Sequence, residues 1–104
     1  MLLNIRISLL SILFLTSFLQ AQDNGEILFK QCAGCHGPDG HNKAFGKSGI
    51  IAGQNIDVIK ESLKYYKEGE FKEHGTTLVM SKQVKNMNAQ DLNDVANYVS
   101  KLPK

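Results

Sequence analysis

The stretch Cys32-Ala33-Gly34-Cys35-His36 decides how the rest of this sequence is interpreted. Two cysteines separated by two residues are typical of half a zinc site, a thiol–disulfide centre or a covalent haem-attachment site. A histidine directly after the second cysteine favours haem attachment, because both thiols can add to one edge of the porphyrin while the imidazole binds the iron. The sequence therefore predicts one haem c, held by thioethers at Cys32 and Cys35, with His36 as an axial iron ligand.

The two other kinds of site fit the chain less well. A structural zinc site needs four ligands, usually from two cysteine pairs, and the sequence contains only two cysteines. His41 and His74 do not stand at a common zinc-ligand spacing from them. A thiol–disulfide centre belongs beside a strand–helix–strand pattern, which this sequence does not have.

The N-terminal residues have the order of a secretory signal peptide. Arg6 provides a basic start, residues 7–19 form an apolar run, and Ala21 is a small residue at the cleavage point. The apolar run is shorter than the ~20 residues of a typical membrane span, although an uncleaved anchor is the alternative. We predict that residues 1–21 are a cleaved signal peptide and that residues 22–104 form one monohaem domain in the periplasm.

Length and charge limit the remaining possibilities. The chain has 104 residues and a net charge of +2, which is far from the strongly basic character of nucleic-acid-binding domains. A domain this small buries a thin core, and two cysteines so close together would close too short a loop for a disulfide to stabilise it much. A buried porphyrin would supply the missing core. We expect a monomer with no nucleic-acid partner and no stable membrane insertion after signal removal.

The first half of the domain reads as a short helix followed by a loop. Asp23 or Asn24 can cap a helix over residues 23–31, which leads into the cysteine motif. Glycine is dense in residues 34–54, which predicts a loop. A loop of this length is unusual in a compact domain unless it wraps around something.

The second half carries two clearer helices. Asn55 caps an amphipathic helix that Gly69 ends, and Asn88 caps a last helix, with Asp91 placed for a capping box and Pro103 as a stop.

Between these two helices the pattern is weaker. Residues 72–77 read as a polar loop, and residues 77–84 can form a short helical turn. No segment alternates like a β-strand. The predicted fold is all-α, with three to five short helices around one haem.

Met80 is the predicted sixth ligand of the iron. It follows a loop and precedes the last helix by several residues, so it can reach the haem face opposite His36. Met87 stands one residue before the helix cap, where an apolar side chain often packs back onto its own helix. His74 is the remaining alternative.

Ligation by His36 and Met80 predicts a function. An iron with both axial positions filled suits electron transfer, because no position is free for a substrate. We predict a one-electron carrier and not an enzyme. The alternatives are a haem-based ligand sensor, whose methionine is absent or easily displaced, and a cytochrome subunit held tightly in a larger redox complex.

Taken in order, these segments resemble the class I c-type cytochromes, in particular the small monohaem periplasmic carriers of bacteria. The resemblance covers nearly all of residues 23–102. The matching positions are Gly25, Leu28 and Phe29, then residues 32–37, Asp39-Gly40, Ala52-Gly53-Gln54, Leu63, Tyr66 and Gly69, Val79-Met80, Asp91-Leu92 and residues 96–99.

The resemblance implies a fold in which the first and last helices cross, with Gly25 and Phe29 meeting Tyr98. It also implies that Met80 is the methionine ligand. A carrier of this family would take electrons from a membrane donor complex and pass them to a terminal oxidase, reductase or peroxidase.

One position departs from the family pattern. The family usually has a proline a few residues before the Gly53-Gln54 pair, and its carbonyl accepts a hydrogen bond from the ligating histidine. Ile50 stands there, so we expect its carbonyl to serve His36 from a less stiff loop. By resemblance, Gln54 and Tyr66 approach the haem edge or its propionates, or Tyr66 is a core residue. The lysines that can ring an exposed haem edge, or be ordinary surface residues, are Lys43, Lys47, Lys82 and Lys85.

Overall fold

The computed structural model describes residues 23–69 and 76–104. In these ranges the secondary structure is helical and contains no strand, which confirms the all-α prediction. The predicted signal peptide, residues 1–21, lies outside the described residues. No helix within them combines the length and apolar character needed to cross a bilayer. The elements are α1 (Asn24–His36), a 3-10 helix (Ala44–Gly46), α2 (Ile56–Glu68), α3 (Thr76–Val84) and α4 (Ala89–Ser100).

Helix α1 is longer than the sequence predicted. The Asp23 side chain caps it by accepting a 3.1 Å hydrogen bond from the backbone N–H of Gly25. The helix then continues through both cysteines to His36 and ends at Gly37, whose φ of 81° suits glycine. The prediction that the loop begins at Gly34 was therefore wrong. Glycine inside a helix costs only about 1 kcal/mol, which tertiary packing of the helix can outweigh.

The capping residues of α2 and α4 were predicted correctly. The Asn55 side chain accepts hydrogen bonds from the first turn of α2, and Gly69 follows its last residue. At α4, Asn88 and Asp91 each accept a hydrogen bond from the other's backbone N–H, at 2.8 and 3.1 Å, which completes the capping box.

The segment between them is more regular than predicted. Helix α3 spans Thr76–Val84, where the sequence suggested only a short turn. The predicted polar loop to Thr77 is wrong at its end, because Thr76 and Thr77 are helical; its earlier residues lie outside the described ranges. Val84 explains the extra order: it is 2 % exposed and anchors the end of α3 in the core.

Helices α1 and α4 cross in close contact, as the family resemblance implied. A β-carbon on Gly25 would lie 2.9 Å from the β-carbon of Tyr98. One turn further along α1, the rings of Phe29 and Tyr98 pack with their centroids 5.3 Å apart. The buried core next to this crossing draws on α1, α2, the end of α3 and α4; its members are Phe29, Ile59, Val84, Met87, Val95, Ala96 and Val99.

Candidate haem site

A cavity of about 280 Å³ lies beside this core and is lined mainly by apolar side chains. Protein interiors are normally packed as densely as organic crystals. An apolar cavity of this size with a few polar groups is therefore the expected form of a ligand site. The apolar residues that line it include Ile51, Ile59, Leu63, Val79, Val84, Val95 and Val99.

The predicted haem and iron ligands all line this one cavity. Cys32, Cys35 and His36 reach it from the last two turns of α1, and Met80 reaches it from α3. The residues come from segments that are far apart in the sequence, so the fold has brought them together. His74, the other candidate ligand, lies outside the described residues.

His36 is the buried polar residue of the site. Its side chain is 6 % exposed, and its Nδ1 has no hydrogen-bond partner among the described residues. Burial lowers the pKa of the imidazole below its ordinary value. The ring is therefore neutral near pH 7, which is the form that binds metal ions. Because buried polar atoms are normally paired, an unpaired imidazole nitrogen beside the cavity fits a residue that serves a bound group.

The hydrogen bond expected between His36 and the Ile50 carbonyl is absent among the described residues. The carbonyl of Ile50 accepts a 2.8 Å hydrogen bond from Nε2 of Gln54, and it makes no hydrogen bond with His36. The expectation that Ile50 would serve the histidine is therefore corrected. In the described structure the donor to this carbonyl is Gln54, four residues away in the same loop, and His36 Nδ1 is left without a partner.

The two cysteines differ in environment. Cys35 is exposed, whereas Cys32 is half-buried, with its Sγ 3.9 Å from the carbonyl oxygen of Leu28. Burial, with a smaller contribution from the neighbouring Cys35 thiol, raises the pKa of Cys32 to about 11. Both thiols are free of a disulfide. Their shared cavity gives them access to the same edge of one ligand.

These residues fit a covalently bound haem. The site combines two thiols, a buried neutral imidazole, a thioether and apolar walls. A zinc ion would need three or four converging ligands. Within residues 23–69 and 76–104, no group of three His, Cys, Asp or Glu side chains is placed to hold a metal ion.

A sequence model of the family described as Cytochrome c matches residues 22–103. The chain belongs to the cytochrome c family. This membership confirms the class I resemblance and the prediction of haem c as the cofactor.

Two known proteins are similar to this cytochrome over most of its length. It is 35% identical over 79 residues to cytochrome c-553 of Nitratidesulfovibrio vulgaris, a match that covers 76% of each chain. It is 32% identical over 83 residues to the cytochrome subunit of sulfide dehydrogenase of Chlorobaculum tepidum, covering 80% of this chain and 70% of the relative.

Two methionines of the cytochrome line the cavity. Met80 is half-buried on α3, whereas Met87 is 4 % exposed and belongs to the core. The burial of Met87 agrees with the apolar packing role that the sequence suggested. Because Met87 also lines the cavity, an experiment must compare Met80 with Met87 as the sixth iron ligand. Met80 as the sixth ligand stays a prediction.

The structure adds Phe45 to the residues at the site. It lines the cavity, yet its side chain is 63 % exposed and its φ is 56°. A bulky residue in the left-handed region is strained and rare. Sequence reasoning missed this residue, and its only local signal is the neighbouring glycine, Gly46.

Of the residues that the family resemblance placed near the haem, some line the cavity and others do not. Gln54 and Tyr66 both line the cavity, and Tyr66 also packs against the core. The four lysines are exposed and do not line it: Lys43, Lys47, Lys82 and Lys85.

The loop between α1 and α2 is joined both to itself and to α4. The carbonyl of Gly40 accepts hydrogen bonds from the N–H groups of Ile51 and Ala52, each at 3.2 Å. The N–H of Gly53 donates to the carbonyl of Val99 in α4 at 3.0 Å. The two arms of the loop are therefore fixed beside the cavity.

Proposed function

We propose that this cytochrome is a periplasmic one-electron carrier whose haem iron is bound by His36 and Met80. The observation that carries the proposal is the cavity, which His36 and Met80 line together with Cys32 and Cys35. The similarity to cytochrome c-553 supports a carrier role.

In this proposal the cysteines attach the haem, and His36 and Met80 bind its iron. The thiols of Cys32 and Cys35 keep the cofactor attached when the small domain opens transiently. His36 donates from a neutral imidazole, and a thioether from Met80 favours ferrous iron and raises the reduction potential. Haem c supplies reversible one-electron chemistry when bound.

The walls of the site act together with these ligands. Side chains such as Ile59, Leu63 and Val95 line the cavity and exclude water. An apolar environment disfavours the more highly charged oxidation state, which again raises the potential. The proposed electron donor is a membrane complex, and the acceptor is an oxidase, reductase or peroxidase.

The axial ligands can be tested with carbon monoxide. We expect the purified wild-type protein to carry one covalent haem by mass spectrometry, and its ferrous form not to bind carbon monoxide at neutral pH. Met80→Ala opens the sixth position and should bind the gas, whereas the matched variant Met87→Ala should not. Gas binding by the wild type would support the ligand-sensor alternative, and binding by Met87→Ala alone would exchange the roles of the two methionines.

The periplasmic location depends on the predicted signal peptide. The mass of the protein from a periplasmic extract should correspond to residues 22–104 plus one haem. A retained N-terminus in the membrane fraction would contradict the proposal.

A second candidate is a cytochrome subunit of a larger redox complex. The similarity to the cytochrome subunit of sulfide dehydrogenase favours it. The haem chemistry would be the same, but the protein would stay bound to one enzyme. Gel filtration of a native extract, followed by haem staining, separates the candidates: a carrier elutes near 11.5 kDa or below, and a subunit elutes with its complex.

A further inference from the structure

Helix α3, which carries Met80, is fixed to α2 by the side chain next to that methionine. The hydroxyl of Ser81 donates a 2.5 Å hydrogen bond to the carbonyl oxygen of Tyr66, in a partly buried position. Tyr66 lies in the last turn of α2 (Ile56–Glu68), where backbone carbonyls have no partner within the helix. Ser81 therefore supplies a missing partner to α2 and ties α3 to it at the same point.

Two further bonds of the same kind hold the last turn of α3 and the residue that follows it. Nε2 of Gln31, on α1, donates to the carbonyl of Gln83 at 2.9 Å, and the ammonium group of Lys67 donates to the carbonyl of Lys85. Both bonds are exposed to solvent, where water competes for the same groups. The Ser81 bond is the least exposed of the three and the nearest to Met80 in the chain.

Apolar packing alone does not hold the middle of α3. From residue 77 to residue 84, the only buried side chain is Val84, at the C-terminal end. Val79 and Met80 are half-buried and line the cavity. The turn that presents Met80 is only half-buried, so the partly buried hydrogen bond of Ser81 adds a specific attachment at this point.

We propose that Ser81 is a positioning residue that sets how readily Met80 leaves the iron. The inference rests on the proposed function, in which Met80 is the sixth ligand. Ser81 does not line the cavity, so it acts through the position of α3 and not by contact with the haem. Loss of its hydroxyl leaves the Tyr66 carbonyl without this donor and lets the Met80 turn move away.

The experiment is an imidazole titration of the ferric holoprotein, followed by visible absorption. Imidazole competes with Met80 for the sixth position, so its apparent affinity increases with the fraction of molecules in which Met80 is displaced. For Ser81→Ala we expect about fivefold tighter imidazole binding, which corresponds to the loss of one typical hydrogen bond. The reduction potential of this variant should fall, because thioether ligation favours ferrous iron.

Two comparisons separate positioning from a general loss of stability. Ser81→Thr keeps the hydroxyl and should bind imidazole like the wild type, whereas Ser81→Val, which has the shape of threonine without the hydroxyl, should bind it more tightly. Ser100→Ala is the matched control: its hydroxyl also donates to a carbonyl, that of Asn97 at 2.7 Å, but within α4. Its imidazole affinity should equal that of the wild type.

The outcomes distinguish this inference from the proposed function. An unchanged affinity in both Ser81→Ala and Ser81→Val would overturn the role of Ser81, and so would an equal increase in Ser100→Ala. If wild-type protein binds imidazole as tightly as Met80→Ala does, Met80 is not the ligand and the proposed ligation fails first.

Discussion

Gly25 on α1 lies so close to Asp94 on α4 that a β-carbon at position 25 would stand 2.3 Å from the Asp94 carbonyl oxygen. No real β-carbon tolerates such a distance to a backbone atom, so the two helices can cross this closely only with glycine at this point. The crossing also positions Phe29 against Tyr98. The same helix carries the cysteines and His36 at its other end, so its contact with α4 helps to position the haem ligands.

Gly25→Ala should therefore destabilise the holoprotein strongly. Overpacking typically costs 1–3 kcal/mol, and we expect a loss of about 3 kcal/mol because the clash is with backbone. Guanidinium unfolding followed at the haem band measures it. Gly34→Ala is the control on the same helix, where an added β-carbon meets nothing within 4 Å. This control should be about 0.5–1 kcal/mol more stable than the wild type, and similar values for the two variants would contradict the close crossing.

Phe45 allows backbone strain to be separated from the loss of its ring. Both Phe45→Ala and Phe45→Gly remove the aromatic side chain, but only glycine adopts a φ of 56° without strain. We expect the glycine variant to be about 1 kcal/mol more stable than the alanine variant. The measurement is the difference in the free energy of unfolding between them. A more stable alanine variant would mean that residue 45 does not have a left-handed conformation.

We expect the capping box of α4 to contribute to the stability of the fold but not to the environment of the haem. Asn88→Ala removes the acceptor for the N–H of Asp91 and should lower the free energy of unfolding by about 1 kcal/mol. The visible spectrum should not change. Asn93→Ala, at an exposed position inside the same helix, is the control and should have no destabilising effect. An equal loss in both variants would argue against the cap.

The burial of His36 predicts the sign of the pH dependence. Its pKa in the folded protein is lowered from the ordinary value of 6.5, so the unfolded chain takes up a proton first as the pH falls. The folded state is therefore stable above pH 6.5 and loses stability as the pH drops below it, until the folded imidazole is protonated too.

Thermal unfolding of the protein prepared without haem, between pH 7.5 and 5, measures this effect on the free imidazole. His41→Gln is the useful background, because it removes a second histidine and keeps a side-chain donor for the Pro103 carbonyl that His41 contacts at 2.7 Å. We expect the decrease in melting temperature to persist in this variant. A melting temperature that is independent of pH would show that His36 is not buried in its neutral form.

Local signals explain which parts of the fold could be predicted from the sequence. The caps at Asn55 and Asn88 depend on residues within one helical turn, and the cysteine motif depends on five consecutive residues. The extent of α1 beyond Gly34 and the order of α3 depend on tertiary packing. Val84 is buried against other helices, and no pattern within its own segment reveals this.

At the site, too, local sequence signals were predictable and features that depend on the tertiary fold were not. The cysteines and His36 were identifiable because the chemistry of attachment fixes their spacing. The bond between Gln54 and the Ile50 carbonyl was not predictable, because the path of the loop decides which donors reach this carbonyl. The conformation of Phe45 was hidden for another reason: propensity argues against it, and the surrounding loop imposes it.

The hydrogen bond that joins the loop between α1 and α2 to α4 has a consequence for biogenesis. The carbonyl of Val99 belongs to α4, so the loop can reach its final path only after α4 has been made and has docked. In the folded chain, the Cys32 thiol has a pKa of about 11 and forms little reactive thiolate near pH 7. Thioether formation should therefore be fastest on a chain that has not yet folded, and premature folding of the apoprotein would delay maturation.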